Sequence, residues 1–104
     1  MPRAFFHPLA EQDLKDITYF IAQDDVDRAL AFAEELEAIC QKRALFPAAG
    51  KACDHLLSGG RCCPYKDYII YYRSVPKLNA IEILHILHGA RDHERIMRDE
   101  HYGH

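Results

Sequence analysis

The 104-residue chain predicts an α+β fold in two layers, a helical hairpin packed on a small antiparallel sheet. Three observations predict it. Apolar residues recur at helical spacing in two stretches between positions 8 and 46. Three short runs rich in Tyr, Ile and Leu follow between positions 61 and 88. Turn residues separate all of these segments. The length suits a single domain spanning 1–104 around one core.

Each element has its own local reason. Arg3-Ala-Phe-Phe-His7 is short, aromatic and apolar, and reads as a first strand set beside the later ones. Pro8 can open a helix, because its missing N–H has no intrahelical role at the first position. Leu14, Ile17 and Ile21 then recur at helical spacing, and Glu11 and Asp13 favour the helix dipole, so the first helix runs to about Ala22. Asp24 or Asp25 caps a second helix. Its stripe is Val26, Ala29, Ala33, Leu36 and Cys40, widened by Leu30, Phe32 and Ile39, and it ends before Pro47. The short link between the helices makes them antiparallel.

Phe46 to Gly50 is a turn, and Lys51 to Gly60 an irregular loop. Strands follow from Arg61 to Tyr65 and from Tyr68 to Val75, reversed at Lys66-Asp67. Pro76 to Asn79 turns the chain into a strand from Ala80 to His88, apolar on both faces as a covered central strand is. Arg91 to Glu100 reads as a short polar helix.

Composition excludes some functions. Net charge is −3, so the chain as a whole is no basic nucleic-acid binder, and no sequence-specific nucleic-acid contact is expected. Residues 1–60 hold six Lys/Arg against ten Asp/Glu, whereas residues 61–104 hold seven against six together with five of the seven His. The strand part is thus the better face for an anionic partner. No apolar run approaches the ~20 residues of a membrane helix, and no signal peptide is evident, so a cytoplasmic location is expected. Cys40, Cys53, Cys62 and Cys63 form no CxxC pair. Cys62 and Cys63 would point to opposite faces of a strand, so reduced thiols are expected.

Six motifs in order carry a resemblance. They are Ala10-Glu-Gln-Asp-Leu-Lys-Asp-Ile-Thr-Tyr-Phe-Ile21, the Ala-rich second helix, Leu45-Phe-Pro-Ala-Ala-Gly50, Gly60-Arg61, Tyr68-Ile-Ile-Tyr-Tyr-Arg73 and Leu87-His-Gly-Ala-Arg-Asp92. Together they resemble the ParE branch of the ParE/RelE toxin superfamily, the plasmid stabilisation proteins, with its β-α-α-β-β-β order. The resemblance implies the toxin component of a type II toxin–antitoxin system. Such a toxin arrests growth, has no cofactor, poisons DNA gyrase and is neutralised by a ParD-like or related antitoxin. RelE-like relatives instead cut messenger RNA on the ribosome, and a toxin-fold binding module that has lost its toxicity is a third reading.

The candidate residues follow. Arg61, Tyr72, Arg73, His88 and Arg91 form the target-binding set. Arg61, Arg73, His88 and Arg91 would be catalytic only in a nuclease, where cations hold the scissile phosphate and a base deprotonates the 2′-hydroxyl. His101 and Tyr102 could add an acid or base. A clustered open pocket of these groups would favour the nuclease; internal pairing would favour a binding protein. His85 and His88 are read as sharing one strand face, with no third metal ligand apparent, so no metal is expected. Ile17, Phe20, Leu30 and Phe32 are the candidates for an antitoxin surface, because a disordered tail that folds on its partner needs exposed apolar area. A sheet edge is a second place for an antitoxin strand.

Overall fold

The computed structural model describes residues 1–99 of the chain. Strand β1 spans Arg3–Phe6, followed by helices α1 (Pro8–Ala22) and α2 (Val26–Leu45), strands β2 (Lys51–Ala52), β3 (Gly60–Tyr65), β4 (Tyr68–Val75) and β5 (Ala80–His88), and helix α3 (His93–Asp99). The sheet runs β1-β5-β4-β3-β2. The α+β architecture matches expectation, with two refinements. The sheet is mixed, because β1 runs parallel to β5, with Ala4 beside Ile81 and Phe6 beside Ile83. The loop expected from Lys51 opens with a two-residue strand, Lys51 and Ala52 pairing with Cys62 and Arg61.

The helix ends follow local chemistry. Pro8 opens α1, with the His7 ring accepting from the Leu9 N–H at 3.1 Å. Asp25 caps α2 by accepting from the Arg28 N–H at 3.0 Å. The buried stripe of α2 is Ala29, Phe32, Leu36, Cys40 and Ala44, so the expected stripe is turned: Val26 and Leu30 face solvent and Phe32 enters the core. Phe32 packs there against Tyr65 and Tyr68, ring centroids 5.7 and 5.4 Å away.

Both faces of the sheet are covered, which explains the apolar run of β5. One face packs Ile70, Tyr72, Ile81, Ile83 and Ile86 against α2 and Ala10. The other packs Tyr71, Leu84 and Leu87 against Cys53, Leu57 and Met97 of α3. Cys62 and Cys63 fall on opposite sides as expected, and all four cysteines are free. Burial pushes the Cys40 thiol up to about 12 and the Cys53 thiol up to about 11. A bulge interrupts β5: Tyr71 pairs with His85 and Tyr72 with Ile83, which leaves Leu84 unpaired.

α3 is held on the sheet through His93. Its Nε2 lies 2.7 Å from the His88 carbonyl, which can only accept, so Nδ1 accepts from the Tyr71 hydroxyl at 2.7 Å. Among the described residues no helix is long and apolar enough to cross a membrane.

Candidate functional site

The Arg/His/Tyr residues of the strand part do not converge. Tyr68 pairs with His88 at one end of β4, while Arg73 pairs with Glu82 and Gly60 toward the other. Arg73 is five steps along the strand from Tyr68, about 16 Å at the usual rise. Arg61 and Arg73 therefore lie far from His88 and Arg91.

Most of these groups also have internal work. Tyr72 is fully buried, so the structure corrects its assignment to a target-binding face. Its hydroxyl donates to the Pro47 carbonyl at 2.6 Å and accepts from the Gly50 N–H at 3.0 Å, which pins the turn after α2. Gly50 is needed for that approach, since a Cβ there would sit 2.1 Å from the hydroxyl oxygen. Arg61 donates from Nη1 to the Gly50 carbonyl at 2.8 Å. Arg73 donates to Oε1 of Glu82 at 3.2 and 3.0 Å, and that pair is about three-quarters buried.

His85 and His88 serve different partners, and a separation of three along a regularly paired stretch of β5 puts them on opposite faces. His85 Nδ1 meets Asp13 Oδ2 of α1 at 2.5 Å, and the same oxygen accepts from the Ile86 N–H at 2.9 Å. Asp13 thus joins α1 to the bulged strand, a role no local pattern announces. His88 stands edge-on to Tyr68 and accepts from the Ala90 N–H. Among the described residues no group of three His, Cys, Asp or Glu could hold a metal ion. His101 and Tyr102 lie outside the described residues.

The apolar surface is on the helical side. A groove of 730 Å³ runs between α1, α2 and β1, floored by Phe6, Leu14, Tyr19, Ala22 and Ala33 and rimmed by Glu11, Lys15 and Glu37. Tyr19 is 72% exposed, and the same hairpin leaves Phe20 69%, Val26 60% and Leu30 56% exposed. Of the residues expected to meet an antitoxin, Phe20 and Leu30 are thus open and Ile17 is half-buried against the core. Phe32 is a correction: at 6% exposure it belongs to the core, because α2 turns its ring toward Tyr65 and Tyr68.

A second cleft, of 390 Å³, places Ile17 and Phe20 beside Tyr68, His88 and Arg91. Residues read as two separate sites, one for an antitoxin and one for a target, therefore share a wall. The Arg91 guanidinium has no hydrogen-bond or ion-pair partner among the described residues.

Comparison with known proteins identifies the family. Residues 4–93 match the family described as the ParE toxin of the type II toxin–antitoxin system parDE. Toxin ParE1 of Caulobacter vibrioides is 33% identical over 85 residues, which cover 81% of this chain and 88% of that protein. A chain from the solved chromosomal ParDE toxin–antitoxin system of P. aeruginosa shares the fold, with a TM-score of 0.69 at 16% identity over 85% of this chain and 96% of its own. The chain belongs to the ParE toxin family of type II toxin–antitoxin systems.

Proposed function

We propose that this toxin acts by binding a protein target rather than by cutting RNA, that the target is DNA gyrase as the family resemblance implies, and that a ParD-like antitoxin neutralises it. One observation carries the binding part: the groove of Phe6, Leu14, Tyr19, Ala22 and Ala33, on a hairpin that also exposes Phe20, Val26 and Leu30. A toxin on its own would hardly keep such an area in water, and contiguous apolar patches of this kind mark partner sites. An amphipathic helix of the antitoxin would lay its apolar face there. Because Tyr19 borders the groove and Phe20 the cleft with His88 and Arg91, an antitoxin on the hairpin would also cover that cleft. Neutralisation is then steric. The scatter of the arginines, the internal bonds of Arg61 and Arg73, and the net charge of −3 give little support to an RNA-cleaving centre. Action on gyrase goes with a cytoplasmic location.

Controlled expression without the antitoxin tests this reading, with DNA and protein synthesis followed by separate labels. DNA synthesis should stop first, and the purified chain should inhibit gyrase until antitoxin is added. Early loss of messenger RNA and protein synthesis would instead establish the nuclease. Normal growth with folded protein present would leave an inactive binding module.

A further inference from the structure

We propose that the outer edge of β1 carries a two-point main-chain docking site at Phe6, which takes an extended segment of the antitoxin. This rests on the antitoxin reading above and adds how the partner's chain leaves the groove.

The hydrogen-bond pattern of β1 sets the argument. The Arg3 N–H donates to the Asn79 carbonyl at 3.4 Å and the His7 N–H to the Ile83 carbonyl at 2.8 Å. Alternate residues of a parallel strand face its partner, so residues 3, 5 and 7 face β5 while Ala4 and Phe6 face the open edge. Ala4 is already satisfied. Gln41 of α2 accepts from its N–H at 3.0 Å through Oε1 and donates to its carbonyl at 3.1 Å through Nε2. A carboxamide has the donor and acceptor of a peptide unit, so Gln41 occupies the place of a neighbouring strand.

Phe6 lies two residues further on and presents its N–H and C=O the same way. Among the described residues neither has a hydrogen-bond partner, and Phe6 lines the apolar groove. A helix filling that groove would strip water from both groups and leave them unpaired, which is unfavourable. An extended segment would satisfy both. Because Gln41 blocks Ala4, the contact is a short bridge and not a full added strand.

Charge fixes the chemistry of the segment. The rim offers Glu11 and Glu37 against Lys15, within a half of the chain that carries ten acidic and six basic residues. The matching segment is therefore extended, apolar toward the groove, and bears Lys or Arg toward that rim. The far side of the sheet is a poorer acceptor. Pro64 lies on the outer edge of β3 beyond the two-residue β2, and it has no N–H to give.

The test is residue-resolved amide exchange by NMR on the full chain, free and saturated with a ParD-like antitoxin that binds it. On binding, exchange at Phe6 should slow by about 100-fold while exchange at Ala4 stays unchanged. Antitoxin binding with no slowing at Phe6 would overturn the bridge and leave the antitoxin reading intact. Failure to bind removes both. Protection of Phe6 in the dilute free chain, or protection that grows with its concentration, would show that the chain or a second copy takes the edge, and would also overturn the proposal. An ester replacing the Phe6 amide should weaken binding about tenfold, whereas Phe6→Leu, which keeps the N–H, should weaken it less.

Discussion

The helical hairpin and the far end of the sheet spend their side chains in opposite ways. On the hairpin, Tyr19, Phe20, Val26 and Leu30 stand in water although their chemistry favours burial. At the sheet end, Tyr72, Arg61 and Arg73 carry the groups usually associated with chemistry, yet each is engaged within the protein. Residue type alone suggests the reverse assignment, with apolar residues as core and Arg/Tyr residues as site. The informative quantity is what each group lacks. An exposed aromatic lacks a neighbour, and a fully bonded tyrosine lacks nothing. On the proposed reading, the contrast places recognition in unsatisfied apolar area, with the most conspicuous polar residues building the platform beneath.

The comparison breaks first at Tyr19. Tyr19→Asp places a charge beside the groove at an exposed position. Antitoxin affinity should fall at least 100-fold, or about 2.7 kcal/mol, as for a central aromatic anchor. Thermal stability should hardly change, because so little of the ring is buried. Calorimetric titration beside a thermal melt reads both quantities. Unchanged affinity would move the antitoxin off the hairpin and return the sheet end to consideration.

The next test works from the other side. Gly50→Ala pushes a methyl to 2.1 Å from the Tyr72 hydroxyl and must displace the ring or the turn. The expected cost is about 2–3 kcal/mol of stability in a denaturant titration. Tyr72→Phe removes the partner of both the Gly50 N–H and the Pro47 carbonyl and should cost about 1–3 kcal/mol. In neither variant should the folded fraction lose antitoxin affinity by more than a few fold. A large loss in Tyr72→Phe at full folding would restore Tyr72 as a contact residue.

The parts of this fold that were legible in the sequence are those set by local chemistry. Pro8 and Asp25 mark helix starts because a missing donor and a side-chain acceptor act within one turn. The strand from Tyr68 to Val75 is legible from its own residues, and its end at Pro76 from the proline. What stayed hidden depends on distant partners. The direction of β1 cannot be read from four residues, since its alternation is the same beside a parallel or an antiparallel neighbour. Two-residue β2 exists through Cys62 and Arg61, ten residues on. Tyr71 and Tyr72 look alike, and only the sheet's two covers decide what each hydroxyl meets. Asp13 finds Ile86 across 73 positions, and Gln41 finds Ala4 across 37. The candidate site was half legible for the same reason. Apolar spacing singled out Phe20 and Leu30, which the fold leaves exposed, but could not fix the rotation of α2 that sends Phe32 inward.

The smallest expected effect sharpens the rule that surface charge matters little here. Glu35 accepts from the Tyr65 hydroxyl at 2.6 Å and from Lys66 Nζ at 3.1 Å, and the Glu35 and Lys66 side chains lie more than half in water. The Tyr65 hydrogen bond, then that of Lys66 and its positive charge, hold the Glu35 carboxyl below its ordinary 4.5. A carboxyl whose pKa is depressed on folding contributes stability above its unfolded pKa, and the contribution is lost as pH falls through the folded value. The window of loss therefore lies below about 4.5. Solvent screens exposed pairs, so Glu35→Gln should lower the melting temperature by only about a degree or two at pH 7, with the gap narrowing as pH falls below about 4.5. A gap that persists at pH 3 would assign the effect to packing of the Glu35 stem on Tyr65 and not to its charge. A gap several times larger at neutral pH would show that α2 and the β3–β4 turn draw real stability from their surface ions, and would weaken the picture of the hairpin as an apolar surface.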